Sequence, residues 1–211
     1  MAGPIAAWRR LSMHPLVRPL TERRIVLQWQ LAGRPIPPPP HVKQSIIKAY
    51  QRRFGLRVLV ETGTFAGDMI DAVLHRFDRI VSIELDPGWH AATVQRFRAH
   101  PRVTVLHGDS GVRLRDVLAT LTEPALFWLD AHYSGPATAR GTLDSPIVQE
   151  LESIRSHPVA GHVVLIDDMR DFNGTGGYPT VADVVAWIEA ADPGSVVQVR
   201  DDILRWHPRG A

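Results

Sequence analysis

From residue 57 onward the chain alternates short apolar runs with helical patterns, and each of the first five runs ends in, or runs straight into, an acid. The runs cover 57–61, 79–85, 102–107, 125–130 and 162–167. They are nearly continuous in Val, Ile and Leu, as expected for parallel strands covered on both faces. Between them lie patterns at helical spacing over 67–77, 88–99, 111–121 and 145–156, and a further one, opened by Thr180, over 180–191. Strand followed by helix, repeated, predicts a doubly wound, mostly parallel α/β sheet of the Rossmann-like kind. The alternation breaks only at the end. There 195–200 and 203–207 read as two strands joined by Asp201-Asp202, a tight antiparallel hairpin. The expected sheet has about seven strands.

In an open parallel sheet, ligands bind outside the carboxyl ends of the strands. The acids at those ends are Glu61, Glu84, Asp109, Asp130 and the pair Asp167-Asp168. One such acid alone reads as a helix cap, but five in register point to a shared site. The first strand leads into Glu61-Thr62-Gly63-Thr64-Phe65-Ala66-Gly67-Asp68. Glycine lets backbone approach a ligand closely because it lacks a Cβ and tolerates positive φ. A dinucleotide fingerprint would need G-x-G-x-x-G with a pyrophosphate at the helix N-terminus. Here acids flank the turn, so it suits a ligand carrying positive charge. Glu84 lies 21 residues beyond Gly63, a spacing that suits a carboxylate accepting two ribose hydroxyls. Asp86 is the better cap for the helix begun by Pro87. Asp109 with Ser110 either receives a base amine or caps the helix over 111–121, and spacing alone leaves both open.

The N-terminal third differs in composition. Residues 1–57 carry eleven Arg or Lys against one acid, Glu22, although the whole chain has a net charge of only +2. Residues 1–41 are expected to form a basic, Pro-rich arm, and 42–211 the catalytic domain. Within the arm, 21–31 predicts a helix capped by Thr21, and 33–40 a stiff Pro-rich linker. Residues 42–54 predict a helix ended by Gly55. The simplest role for the basic residues is a helix face docked on an acidic body; nucleic acid or anionic lipid are the alternatives. The 211-residue chain has no cysteine, which excludes disulfides and zinc-thiolate chemistry. No apolar run reaches the ~20 residues needed to span a bilayer, and no secretory signal is expected, so cytoplasm is the default location.

Taken together, Glu-Thr-Gly-Thr-Phe-Ala-Gly-Asp, Ile-Glu-Leu-Asp, His-Gly-Asp-Ser and Phe-Trp-Leu-Asp resemble the successive motifs of class I S-adenosylmethionine-dependent methyltransferases. The resemblance covers roughly residues 42 to 208 and includes the terminal hairpin. It implies S-adenosylmethionine as cofactor. Gly63, Thr64 and Phe65 would line its methionine part near Glu61, Glu84 would bind the ribose, and Asp109 and Ser110 would flank the adenine. Gly67, Asp68 and Asp130 complete the cofactor-facing set.

A narrower resemblance concerns the metal. Asp130, Asp167 and Asp168 look like the ligand triad of cation-dependent O-methyltransferases of the catechol and macrolide-sugar type, which implies Mg²⁺. Hard carboxylate oxygens suit that ion. Successive strand residues point to opposite faces, so Asp167 and Asp168 can share one ion only if the chain leaves strand geometry between them. Asp168 could instead cap the next segment or pair with Arg170. The catechol-type enzymes carry a lysine three residues after the first metal aspartate, where this chain has Tyr133. His132 is therefore the candidate general base, with Asp130 beside it as a catalytic residue. Residues 133–144 and 171–179 read as loops at the site mouth, the first placed to act as a lid.

The expected activity is O-methylation of a small-molecule or glycan hydroxyl, assisted by Mg²⁺. The expected partners are that acceptor and, through the arm, a second copy of the chain. A nucleic-acid methyltransferase is disfavoured because the fourth strand ends in Leu-Asp-Ala-His and not in Asp-Pro-Pro-aromatic. A nicotinamide-dependent dehydrogenase on the same topology and a non-catalytic partner-binding protein that retains the fold are the other rivals.

Overall fold

The computed structural model describes residues 18–131 and 146–210, and every structural statement below concerns those residues. Two helices come first, α1 (Arg18–Leu31) and α2 (Pro40–Phe54). Five strand-helix repeats follow: β1 (Val58–Thr62), α3 (Asp68–Val73), β2 (Arg79–Glu84), α4 (Pro87–Phe97), β3 (Val103–His107), α5 (Ser110–Leu118), β4 (Ala125–Leu129), α6 (Ile147–Arg155), β5 (Val163–Ile166) and α7 (Val181–Ala191). The chain closes with β6 (Ser195–Arg200) and β7 (Ile203–Pro208).

The seven strands form one sheet in the order β3-β2-β1-β4-β5-β7-β6. β1 to β5 pair in parallel, whereas β7 is antiparallel to both β5 and β6. This is the doubly wound sheet with a terminal hairpin expected from the sequence. The antiparallel strand beside β5 departs from the all-parallel 3-2-1-4-5-6 order of dinucleotide-binding sheets. The hairpin turn is Asp201-Asp202, both at positive φ (54° and 63°). That is the pattern of the two-residue turn whose twist matches its strands.

Alternate residues of each strand serve opposite faces. Val60, Ile83, Phe127 and Ile166 pack with Leu114, Ile147 and Val184, beneath α5, α6 and α7. Leu59, Ile80, Trp128 and Leu165 pack with Ile47, Ile70 and Phe97, beneath α2, α3 and α4. Trp128 and Phe127 are the largest side chains of β4 and are almost fully buried. Truncating either to alanine is expected to cost about 3–5 kcal/mol.

The first helix begins at Arg18, so Thr21 lies within it and does not cap it. Pro19 falls in its first turn, where a missing N–H costs nothing and the fixed φ suits a helix. The same holds at Pro40, which opens α2 two residues earlier than the apolar spacing suggested. The arm is docked. Trp29 is buried and its Nε1 donates to the Pro35 carbonyl at 2.8 Å. Lys48 pairs with Glu22 at 2.8 Å, and Arg34 pairs with Asp201 in the hairpin turn at 2.7 Å. The first pair joins α1 to α2, and the second joins the segment between them to the hairpin turn. No helix among the described residues is long and apolar enough to cross a membrane. Residues 1–17, His132 and the loop over 133–144 lie outside the described residues.

Candidate functional site

The sheet order reverses between β1 and β4, and this switch point is where a doubly wound sheet opens a crevice. The strand ends there stand side by side. The Asp130 N–H donates to the Thr62 carbonyl at 3.1 Å, and the Asp167 N–H donates to the Leu129 carbonyl at 3.0 Å. Gly63 sits at φ +82°, and a Cβ on it would collide with the Asp130 carbonyl. Close passage of β4 therefore demands glycine at this position.

The turn after β1 is held from β2. Glu84 accepts the Phe65 N–H at 2.7 Å through Oε2 and the Asp86 N–H at 2.8 Å through Oε1. Phe65 has φ 47°, an uncommon conformation for a bulky residue, and its ring lies 4.2 Å from that of Trp89. Thr64 shares a 2.5 Å hydrogen bond with Ser82, and Ser82 donates to Glu61 at 2.5 Å. Glu61 is buried; burial pushes its pKa up to about 8, with Ser82 opposing and Glu84 adding to the rise. Beneath the turn there is thus an acid that holds its proton at neutral pH.

Other members of the expected set have local partners. Asp86 caps α4 through the N–H groups of Gly88 and Trp89, as anticipated. Asp109 caps α5 through the Gly111 N–H at 2.9 Å. Asp68 is exposed and pairs with Arg96 at 2.7 Å. Gly67, at φ +78°, lets α3 approach Phe97.

The second cluster lies at the ends of β4 and β5. One carboxylate oxygen from each of Asp130, Asp167 and Asp168 can be chosen so that all three lie within 4.8 Å of one another. The condition set by strand alternation is met at Asp168, whose φ is 54°. This left-handed residue ends the strand and turns its carboxylate to the side where Asp167 faces. A non-glycine residue in that conformation is strained by roughly 1–3 kcal/mol, and such strain gathers at functional sites. Arg170 secures it, donating to Asp168 at 2.8 Å and also to Asp202 of the hairpin turn. The pairing of Asp168 with Arg170 and its place in the triad therefore coexist.

Two further residues enter the site that local motifs do not reveal. Lys43 of α2 places its ammonium against Asp167 and 2.9 Å from Asp168. Burial alone would lower its pKa, but Asp167, Asp130 and Asp168 outweigh burial and hold it protonated. Burial, with repulsion from the neighbouring aspartates, pushes the pKa values of Asp130 and Asp167 up. On the other face of the sheet, Glu150 of α6 is buried with hydrogen bonds from Ser110 and Thr62. Burial pushes its pKa up to about 7. Its Oε1 has no hydrogen-bond partner among the described residues.

Comparison with known proteins agrees with this architecture. No family model matches the chain. The Bacillus cereus O-methyltransferase in complex with S-adenosylhomocysteine is 17% identical, with a TM-score of 0.57 and 97% of each chain covered. An S-adenosylhomocysteine-bound methyltransferase from Podospora anserina is 16% identical, with a TM-score of 0.57, covering 99% of this chain and 98% of that one. The O-methyltransferase TomG from Streptomyces achromogenes, solved with S-adenosylmethionine, is 16% identical, with a TM-score of 0.55 and 90% and 89% coverage. In sequence, 80 residues are 38% identical to the ribosomal RNA small subunit methyltransferase A of Geobacter metallireducens, spanning 37% of this chain and 29% of that relative. With its inserted antiparallel strand and its acid-tipped switch point, the chain has the fold of the class I S-adenosylmethionine-dependent methyltransferases.

Proposed function

We propose that the chain is an S-adenosylmethionine-dependent O-methyltransferase whose Asp130, Asp167 and Asp168 hold a Mg²⁺ ion beside the acceptor. The observation that carries this reading is the left-handed Asp168, which brings consecutive acids onto one side together with Asp130. Cofactor and ion both fit the residues present. The Gly63 turn lies at the switch point against the end of β4, and Glu84 is positioned beside it at the end of β2. The triad offers hard oxygen donors close enough to share one ion, with Lys43 and Arg170 as its present cationic partners.

When bound, S-adenosylmethionine supplies a methyl already activated by its sulfonium, and Mg²⁺ supplies a Lewis acid that eases loss of a hydroxyl proton. The protein's task is then chiefly positioning. Gly63, Thr64 and Phe65 cradle the methionine part, with Glu61 below as a group able to become a counter-charge. Glu84 accepts the ribose hydroxyls, and Asp109 with Ser110 borders the base. Gly67, Asp68 and Asp130 complete the cofactor-facing set, Asp68 from the rim. His132 would take the acceptor proton, being the near-neutral base that follows Asp130 in sequence. The acceptor is a hydroxyl of a small molecule or glycan, chosen because adjacent hydroxyls suit a carboxylate-held hard cation.

The test is transfer of labelled methyl from S-adenosylmethionine to a panel of catechols, sugars and glycosides, with and without EDTA. Transfer that EDTA abolishes and Mg²⁺ restores is expected. Transfer indifferent to EDTA and to Asp167→Asn would remove the ion from the reading, and transfer to RNA alone would replace the acceptor class. That second reading has support in the ribosomal RNA methyltransferase likeness and in the exposed Arg23, Arg24, Arg52 and Arg53 of α1 and α2. It predicts RNA binding that weakens steeply with salt and disappears when those arginines are neutralised.

A further inference from the structure

We infer that Lys43 is a resident counter-cation that a divalent ion must displace from the aspartate triad, so that α2 sets the metal affinity of the site. The inference rests on the metal reading proposed above, and concerns what that reading requires of this chain's own lysine.

The hydrogen bonds of Asp167 give the reason. Its Oδ1 accepts the N–H of Asp168 at 2.8 Å, and its Oδ2 is taken by Lys43. Its side chain has no exposed surface at all. The oxygen that can turn toward an ion is therefore the one already facing an ammonium. Lys43 also donates to Asp168 Oδ1 at 2.9 Å, an oxygen shared with Arg170 at 2.8 Å. A divalent ion and an ammonium on the same carboxylate oxygen would stand within a few ångströms in a poorly solvated pocket, where like charges repel strongly. Asp168, whose side chain is partly exposed, already carries two cations on Oδ1, but Asp167 has no exposed surface, so at its Oδ2 the ion and the ammonium compete. The lysine yields because its side chain is 16% exposed and its flexible stem can carry the ammonium to solvent.

Neutralisation of a buried acidic cluster explains why a lysine lies there. Three acids with no cation would repel one another and carry a large desolvation cost. Lys43, against Asp167 and Asp168, and Arg170, against Asp168, offset part of that cost. The position is not accidental within α2. Lys43, Ile47, Tyr50 and Phe54 follow one another at helical spacing along the face that packs on the sheet.

The experiment pairs two measurements. Calorimetric titration with Mn²⁺ and Mg²⁺ compares the wild type with Lys43→Met and Lys43→Gln, with circular dichroism checking that both variants fold. Affinity rising roughly tenfold or more in the variants is expected. Equal or weaker affinity would overturn the competition while leaving the metal site standing. No binding to either form would overturn the metal reading and the competition with it. Removing a charge near the ion would tighten binding even without displacement, so the second measurement reads displacement directly in the wild type. Acetylation of Lys43 by an amine-reactive ester, followed by peptide mass spectrometry, is expected to rise several-fold at saturating Mn²⁺ while Lys48, paired with Glu22, stays constant. Unchanged labelling of Lys43 at saturating metal would overturn the proposal.

Discussion

Ser82 Oγ donates to the Glu61 carboxylate at 2.5 Å, and the two residues are direct register partners across β2 and β1. Between them they govern the charge beneath the Gly63 turn. Burial pushes Glu61 up to about 8, so the acid is largely neutral near pH ~7. A sulfonium or ammonium seated in the turn favours the carboxylate form. Binding should therefore release a proton, and affinity for S-adenosylmethionine should rise as pH climbs toward about 8, above which Glu61 is already ionised. Calorimetry in two buffers of different ionisation enthalpy measures that proton. Glu61→Gln is expected to abolish the release and to weaken binding roughly tenfold. Release unchanged in Glu61→Gln would show that the proton comes from elsewhere.

Glu84 holds the turn and, on the proposed reading, also accepts the ribose. It is the acceptor of the Phe65 N–H, and Phe65 is one of the strained residues of the turn. Glu84→Ala removes both functions, and a hydrogen bond to a charged group contributes about 1.5–3 kcal/mol. Cofactor affinity should fall by roughly 10- to 100-fold. The thermal shift produced by S-adenosylhomocysteine should shrink with it. Glu84→Gln, which can still accept, should lose less. A full-sized thermal shift in Glu84→Ala would detach this acid from the cofactor.

Most of the framework is legible because it depends on local chemistry. Alternating strand and helix periods and the helix caps at Asp86 and Thr180 all act within a few residues of themselves. The αL turn at Asp168 is less so. Aspartate is among the few non-glycine residues that enter this region, but Ile-Asp-Asp-Met-Arg does not demand it. What enforces it is Asp202, brought alongside by β7, which accepts from the Arg170 N–H at 2.7 Å. Lys43 and Glu150 are harder still, because each joins a site built by strands distant in sequence. Both nevertheless leave a trace. Lys43 lies on the apolar stripe with Ile47 and Phe54, and Glu150 on the stripe with Ile147, Leu151 and Ile154. A charge on the buried stripe of an amphipathic helix calls for a partner, and the partner marks the site.

Removing the triad should separate chemistry from cofactor binding. Asp167 is fully buried at the end of β5, away from the Gly63 turn in sequence and bonded to Lys43 and Asp168. Asp167→Asn is expected to lower methyl transfer about 100-fold or more, comparable to the loss of a well-placed electrostatic group. Affinity for S-adenosylhomocysteine should stay within about threefold of the wild type. A rate loss matched by an equal loss of cofactor affinity would instead place Asp167 in the cofactor site.

Glu150 should give the protein a distinctive dependence of stability on pH. Its pKa rises from 4.5 to about 7 on folding, chiefly through burial, with Ser110 and Thr62 opposing. The folded state therefore binds more protons than the unfolded state between those values, and unfolding releases them. Stability from this residue is fully present below the unfolded pKa and is lost as pH rises toward the folded one. A difference of that size corresponds to at most about 3 kcal/mol. Glu150→Gln keeps the shape and cannot ionise, so it should be more stable than wild type near pH ~8, by roughly 1–3 kcal/mol, and close to it near pH ~4.5. Urea unfolding across that range, compared between the two proteins, isolates the contribution because the other acids are common to both. Parallel stability curves for wild type and variant would mean that Glu150 is already ionised in the folded protein, with a cation or an ordered water supplying the partner that Oε1 lacks among the described residues.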